Sequence, residues 1–599
     1  MIIVLKSKKN NDIRIMKLLK KIDNNGLILL FFFCFQPVIN FIQENRTDQV
    51  FNFNRSIFYF FIFFFISIII SFLIKLISKK NYFKILFYLG FFWFYSFNFY
   101  LINEILENLI NKIFSKELIG EISFFIYIVI FFITSKLLIK YLGILKIRLI
   151  FYSFMFTFVA VEVFQSLPNY YFSLNYKSLL DFEMPSKIEK NSNRKINFPN
   201  VYFLIPDSMP AVKNYKNIFL ENYETEVIQE FKKLGFQFNE NVKSHGLDSY
   251  TSIPYFFSMV YLFKKSGIFD AKVHVEINKI FSGFNPVVAE FRKRNYKYIR
   301  VDGAGFIGGC NGEEDICIRG KKKILIHQDY IFLERSYLIK IINKLSKNDK
   351  LLPILRFLKL DTNFVSIVDE DKIKSKNIKI PEGYASEIGL RENLQLIDAV
   401  IVHDSFEKIL PSLEESPYFF HWWFSMPHQP IRFNENCELK YPLIGKLARS
   451  PNELDYKIWS DSHFGHTKCA EKQLVNFAKK ILKHDPSAII IIHSDHGFDH
   501  DAMKGEAKER LKRNLWSNLT INNMTDLFST YKIPHKCKKY MDPNNSPVNL
   551  FKGIFACFDK KKTQFLEHKI FVANEKHTLV EGLLKKNKKG DYKISDFNN

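Results

Sequence analysis

Five apolar stretches, about Gly26–Ile42, Ile57–Ile77, Phe83–Ile102, Ile122–Leu142 and Leu149–Ser166, precede the first long polar region of the chain. A bilayer core about 30 Å thick is crossed by a helix of roughly 20 residues. Four of the stretches meet that length. The first is shorter and carries Gln36, Pro37 and Asn40. A cleaved signal peptide would account for one such segment but not for the four that follow it. The residues therefore predict an N-terminal α-helical membrane domain of five spans over 1–166.

The connections between the stretches alternate in charge. Residues 1–25 hold seven Lys/Arg, the second connection holds Lys75, Lys79, Lys80 and Lys84, and the fourth holds Lys136, Lys140, Lys146 and Arg148. In the first connection Glu44 and Asp48 balance Arg46 and Arg55, and in the third Glu104, Glu107, Glu117 and Glu121 outnumber Lys112 and Lys116. Lys/Arg-rich loops stay cytoplasmic. This pattern predicts a multi-pass protein of the plasma or inner membrane, its N-terminus inside and everything after residue 167 outside the cytoplasm.

The whole chain of 599 residues has a net charge of +24, which at first suggests nucleic acid. Residues 1–166 account for +10 of it, and the other +14 is spread over 433 residues with no basic block flanked by stacking aromatics. The spread reads as a solvated basic face near anionic lipid heads, not as a nucleic-acid site. Of seven cysteines, Cys34 lies within a predicted span, and no CxxC pair is present to make a thiolate zinc site. Cys310 and Cys317 flank a loop, CNGEEDIC, short enough to close as a local disulfide in an oxidising compartment.

Residues 167–197 are polar and Asn/Lys-rich and read as a linker. Beyond them, over 198–575, short apolar runs alternate with amphipathic helical patterns, which predicts an α/β domain around a mostly parallel sheet. Residues 576–599 read as a polar C-terminal tail. Four runs matter most. Val201–Ile205 ends at Pro206-Asp207, Tyr298–Val301 at Asp302-Gly303, Tyr418–Ser425 at Met426-Pro427-His428, and Ala488–Ile492 at His493-Ser494-Asp495-His496-Gly497. In open α/β sheets ligands bind beyond the carboxyl ends of the strands, so these residues can share one rim. A helix is expected over about His466–Lys483, packing on the sheet through Leu474, Phe477, Ala478, Ile481 and Leu482.

Aspartate and histidine just past buried strands form a mixed oxygen and nitrogen donor set that suits Zn²⁺, Mn²⁺ or Mg²⁺. A hydroxyl held at such an ion loses its proton more easily and becomes a nucleophile. The segment HGLDSYTSIPYFFSMVY offers Ser249, Thr251 and Ser252, ahead of a Ser-Ile-Pro that would open a buried helix. Any one of these residues alone is ordinarily a cap or turn former. Their joint occurrence at predicted strand ends of one domain argues for a site. His421, His493 and His500 lie near these positions, as do Arg432, Arg510 and Arg513, but no spacing assigns them a role, and Trp422 and Trp423 read as core.

PNVYFLIPDSMP (199–210), the Ser249 segment, MPHQP (426–430), AIIIIHSDHG (488–497) and SPVNLF (546–551) together resemble the alkaline phosphatase superfamily. The resemblance is to its sulfatase-like membrane enzymes, the lipoteichoic acid synthases and the phosphoglycerol and phosphoethanolamine transferases. It covers roughly residues 197–560 and extends to the architecture of about five spans followed by an extracytoplasmic catalytic domain. It implies that Asp207, Asp495 and His496 are metal ligands and that Ser249 is both nucleophile and ligand, where most such transferases have Thr. Thr251 is the alternative if the loop register slips. His428 matches the histidine that contacts the transferred group or the leaving oxygen. The Cys/Ser-x-Pro-x-Arg signal of the formylglycine sulfatases is missing, since the chain reads Ser-Tyr-Thr-Ser-Ile from Ser249. The function implied is transfer of a phospholipid head-group phosphate onto an envelope glycan or lipid through a phospho-serine, with ester hydrolysis on the same site as the alternative.

Overall fold

The computed structural model describes residues 24–45, 53–77, 81–98, 116–143, 145–175, 180–187, 198–219, 225–262, 271–301, 310, 313–318, 417–429, 431–444, 453–499, 518–573, 579–586 and 592–595. They fall into two compact units, one up to Asn175 and one from Leu180 on.

The first unit is helical. It contains α1 (Asn24–Asn45), α2 (Phe53–Ile77), α3 (Tyr82–Phe97), α4 (Lys116–Leu142) and α5 (Leu145–Asn175). Three segments are long and apolar enough to cross a membrane: Asn24–Gln43, Ser56–Ile77 and Leu145–Phe164. These carry the first, second and fifth predicted spans. The third predicted stretch runs past residue 98, beyond the described residues, and the side chains of the first half of α4 also lie outside them. Among the described residues, then, three of the five predicted spans are supported, and the other two extend beyond those residues. On α2 the large apolar side chains Phe65, Ile69 and Leu73 point outward without charged neighbours, as a helix apolar all round does in lipid. Polar groups within the unit meet each other: Asn98 Nδ2 donates to Gln36 Oε1 at 2.9 Å, and Gln36 Nε2 donates to Glu162 Oε1 at 3.2 Å. The last helix continues to Asn175, so the predicted end of the membrane domain at 166 falls inside a helix.

The second unit is built on a seven-stranded sheet in the order β2-β9-β8-β1-β5-β3-β4. Its strands are β1 (Val201–Asp207), β2 (Gln237–Phe238), β3 (Lys297–Val301), β4 (Ile316–Ile318), β5 (Tyr418–Pro427), β8 (Ile489–His493) and β9 (Ser529–Lys532). β6 (Ile431–Phe433) and β7 (Leu439–Ile444) form a separate antiparallel pair. β8, β1, β5, β3 and β4 run parallel, whereas β9 is antiparallel to β8 and β2 to β9. The sequence explains the centre. VYFLIPD and IIIIH are buried along their whole length, as parallel strands covered on both faces must be.

Side chains alternate between two cores. Tyr202, Leu204, Phe420, Trp422, Ile490 and Ile492 face one layer, and Val201, Phe203, Ile205, Phe419, Ile489 and Ile491 face the other. α6 (Val227–Lys233) and α10 (Glu453–His484) cover the first face, α10 through Leu474, Phe477, Ala478 and Ile481. α7 (Ser249–Ser258), α8 (Ala271–Ser282), α9 (Pro286–Lys293) and α12 (Leu550–Asp559) cover the second. α10 starts thirteen residues before the expected helix, and α7 opens at Ser249 instead of at Pro254. The reason is Asp248, whose carboxylate accepts from Thr251 N at 2.8 Å and caps the helix. α11 (Asn518–Thr525) precedes β9.

The expected polar tail is in part a sheet. β10 (Lys569–Ala573) pairs antiparallel with β11 (Leu579–Lys586), and β11 with β12 (Tyr592–Ser595). Paired backbone groups offset the Lys-rich composition that made the segment read as solvated. Cys310 and Cys317 are joined as expected, and two further disulfides link Cys437 to Cys469 and Cys537 to Cys557. Separations of 32 and 20 residues carry no pairing signal, so the sequence did not yield them.

Candidate active site

Strand register brings the two aspartates together. Leu204 of β1 is paired with Ile492 of β8. Asp207 and Asp495, each three residues further on, therefore leave the sheet side by side at its carboxyl edge. His496 follows directly and is seated by Gly497, which sits against the carbonyl oxygens of Asn523 and Asp526 so closely that a Cβ would run into both. That contact is why the motif ends in glycine.

The carboxylates and imidazole form one buried group. Asp207, Asp495 and His496 offer ligand atoms that all lie within 4.8 Å of one another. His496 Nε2 stands 3.8 Å from both Asp207 Oδ1 and Asp495 Oδ2. Its Nδ1 lies 2.8 Å from the carbonyl of Gly497, an oxygen that only accepts, so Nδ1 carries the hydrogen and Nε2 turns its lone pair toward the carboxylates. Asp495 Oδ1 accepts from the main-chain N–H of Ser208 at 3.0 Å and of His496 at 2.8 Å. Burial, and then the neighbouring Asp495, push the Asp207 carboxyl well above the usual carboxylate range.

Two carboxylates and an imidazole lone pair converging in a buried space repel one another unless a cation lies between them. The donor set fits a divalent metal of the Zn²⁺, Mn²⁺ or Mg²⁺ type.

Ser249 completes the group from the other side. As the first residue of α7, it is brought by Asp248 to the rim, where its Oγ donates to Asp495 Oδ2 at 2.5 Å and lies 3.5 Å from Asp207 Oδ1. Ser249 is half-buried, whereas its three neighbours are buried, so a substrate reaches the hydroxyl first. Thr251, the alternative, is turned inward: its Oγ1 lies 3.0 Å from Asp248 Oδ1 within the cap. Ser252 is buried.

His428 lies on the same rim but outside this cluster. Pro427 pairs with Asp207, and His428, one residue on, is exposed with its Nδ1 2.5 Å from the carbonyl of Gln429. The structure does not bring it to the carboxylates. His421 and His493 belong to the apolar layer below. His421 packs on Phe203 and Phe257 with its Nδ1 3.2 Å from the Tyr298 hydroxyl, and His493 packs on Phe256. Burial holds both well below the ordinary histidine range, His493 at about 4. Trp422 and Trp423 are core, as expected. Asp302, His500, Arg510, Arg513 and the side chain of Arg432 lie outside the described residues.

One site residue escaped the sequence. Ser208 Oγ donates to Asp207 Oδ1 at 3.1 Å and lies 3.3 Å from His496 Nε2, on a residue with φ of 59°. The hydroxyl beside a ligand in P-D-S-M-P was a signal, but nothing in the sequence gives its backbone conformation.

Neither a family model nor a curated protein matches the sequence. Solved structures do. The chain is similar to the C-terminal periplasmic domain of EptC from Escherichia coli, at 11% identity and a TM-score of 0.35, over 67% of this chain and 96% of that one. It is similar to the integral membrane lipooligosaccharide phosphoethanolamine transferase A from Neisseria meningitidis, at 12% identity and a TM-score of 0.37, over 90% and 96%. It is similar also to a phosphonate monoester hydrolase from Silicibacter pomeroyi, at 11% identity and a TM-score of 0.33, over 62% and 74%. Transferases and a hydrolase both stand among these proteins. The functional reading rests on the side chains of the site.

Proposed function

We propose that the chain is a membrane-anchored, metal-dependent phosphotransferase that moves a phospholipid head-group phosphate onto an envelope glycan or lipid, with Ser249 as nucleophile. The observation that carries this reading is the approach of the Ser249 hydroxyl to a buried Asp207–Asp495–His496 group. Asp207, Asp495 and His496 would hold the metal, with Ser249 as a fourth donor. When bound, a divalent cation there supplies positive charge that favours the ionised serine and offsets charge on the phosphoryl oxygens.

The chain's own residues do the rest. Ser249 Oγ forms a bond to phosphorus and its proton passes to Asp495 Oδ2, 2.5 Å away. The bond from phosphorus to the diacylglycerol oxygen breaks, and His428 on the rim gives that oxygen a proton. In the second half-reaction an acceptor hydroxyl oxygen forms a bond to phosphorus, and the bond from phosphorus to Ser249 Oγ breaks. His428 takes the acceptor's proton, and Asp495 returns the first one to Ser249. Two half-reactions of this form predict ping-pong kinetics.

The alternation of basic loops supports a catalytic unit outside the cytoplasm, and so do the three disulfides among the described residues.

Acceptor dependence tests the reading. Purified protein with Zn²⁺ or Mn²⁺ is given labelled phosphatidylethanolamine or phosphatidylglycerol, with and without an added lipid glycan. Diacylglycerol release together with labelled glycan supports transfer. Release of the free head-group phosphate at the same rate whether or not glycan is present assigns the site to hydrolysis instead.

A further inference from the structure

Four residues before Ser249 stands a histidine with no part in the metal group. His245 is fully buried, and its two ring nitrogens meet partners of opposite kind. Nδ1 is 2.6 Å from the carbonyl oxygen of Lys569, which only accepts, so Nδ1 carries the hydrogen. Nε2 is 3.2 Å from the main-chain N–H of Val548, which only donates, so Nε2 is a lone pair. Ser546 Oγ lies between 3.2 Å from this Nε2 and 3.0 Å from His568 Nδ1. The His568 ring stacks on His245 at 4.5 Å, and Tyr255 and Tyr261 close the pocket edge-on. Burial, and then His568, hold the imidazole well below the ordinary histidine range, in keeping with one neutral tautomer.

The backbone around this ring is pinned as well. Ser244 N donates to Thr525 O at 2.7 Å, and Phe571 N donates to His245 O at 2.8 Å. The next residue, Gly246, lies so close to the side chain of Thr251 that a Cβ would run into it. The loop therefore bears directly on the first turn of α7, the turn that presents Ser249.

From this geometry we infer that His245 is a positioning residue, whose single tautomer locks the nucleophile loop to the 546–548 and 568–571 segments. The inference rests on the reading of Ser249 as the nucleophile. It gives the SPVNLF segment a task, since Val548 N–H donates to the ring and the Ser546 hydroxyl bridges His245 and His568. An apolar residue of the same size would remove the acceptor that faces the Val548 N–H and the donor that the ring gives the Lys569 carbonyl.

Three substitutions separate positioning from packing. His245→Gln places an amide oxygen where Nε2 was and keeps the acceptor for Val548. His245→Asn keeps a donor toward Lys569 but loses that acceptor, and His245→Ala loses both. Each full-length variant, in detergent with Zn²⁺, is measured by amide hydrogen exchange over 247–256 and by turnover of phosphatidylethanolamine.

His245→Ala is expected to speed exchange over 247–252 by about tenfold or more. It is expected to lower kcat by about 30-fold with KM held within about twofold. His245→Gln is expected to restore kcat to within about fivefold of the parent, and His245→Asn is not. The inference is overturned if Gln is as impaired as Ala, if kcat is unchanged in all three, or if exchange rises evenly across the domain. Should the alanine variant not fold, Ser546→Ala removes the hydroxyl that bridges the two rings and is expected to lower kcat by about threefold to tenfold at unchanged KM. A parent protein without turnover would count against the nucleophile reading, and the exchange pattern would still decide whether the loop is locked by the ring.

Discussion

Ser249 Oγ lies 2.5 Å from Asp495 Oδ2, across 246 residues of chain. Each residue is placed by its own element, not by the stretch of chain that carries the other. Asp495 is fixed by the pairing of β8 with β1, and Ser249 by the cap that Asp248 sets on α7. Two independent pieces of local structure, a parallel register and a helix start, therefore converge on one hydroxyl–carboxylate contact. Such convergence is what a nucleophile beside a metal group requires.

The metal group should fail in graded steps. Asp495→Asn keeps the shape but removes the charge that faces His496, and Zn²⁺ affinity by titration calorimetry is expected to fall by about a hundredfold or more. Ser208→Ala removes only a hydroxyl beside Asp207 and His496, so a loss of about tenfold is expected. Equal losses in the two variants would contradict the division into ligands and support.

Gly497→Ala forces a Cβ onto the carbonyl oxygens of Asn523 and Asp526, which belong to the main chain and cannot turn aside. Overpacking of this kind costs about 1–3 kcal/mol, and here the backbone that shifts carries His496. A melting temperature lowered by several degrees, with metal binding weakened well beyond that, is expected. A variant with unchanged affinity would show that the close approach has no bearing on the site.

Glu471 provides a pH signature away from the metal. Its carboxylate is buried on α10, accepts from Tyr215 at 2.8 Å and from Thr225 at 2.7 Å, and titrates at about 7, pushed up by burial. The folded chain thus holds this proton more tightly than the unfolded chain, whose value is near 4.5. Its contribution to stability is fully present below that unfolded value and is lost as pH rises toward 7, by about 1.4 kcal/mol per pH unit at most. Glu471→Gln is expected to remove this slope between pH 5 and 7 in thermal melts, relative to the parent, as estimated from the linkage relation. An unchanged slope would mean that the carboxyl is already ionised in the folded chain.

The Cys537–Cys557 bridge closes a loop with a separation of 20 residues between the end of β9 and α12. Removing it as a paired Cys→Ser variant is expected to cost about 3 kcal/mol by loop entropy. A measured loss near zero in denaturant melts would show that the flanking packing already holds the loop.

Much of the fold was legible because parallel core strands are written as unbroken apolar runs. VYFLIPD and IIIIH declare themselves, and the Asp or His that ends each run marks the rim. The meeting of Asp207, Asp495 and His496 followed from that pattern, since one register carries both aspartates to the same edge. What stayed hidden depends on tertiary pairing. Ser208 became visible only through its left-handed backbone, and the turn of the Thr251 hydroxyl into the Asp248 cap only through the structure. The C-terminal residues read as a solvated tail because lysine-rich strands have no apolar signature until a partner strand is known. His421 and His493 lay near the matched positions with no role assigned, and alternation turns them into the Phe203 layer.

In the proposed reaction, Ser249 becomes covalently phosphorylated by a lipid head group. It is tested most directly by incubating the full-length protein with Zn²⁺ or Mn²⁺ and labelled phosphatidylethanolamine or phosphatidylglycerol, then sequencing the peptide around Ser249 by mass spectrometry. A phospho-head-group adduct on Ser249, absent from Ser249→Ala while that variant still binds metal, is the result expected. An adduct on Thr251 or elsewhere, or undiminished turnover by Ser249→Ala, would contradict the account.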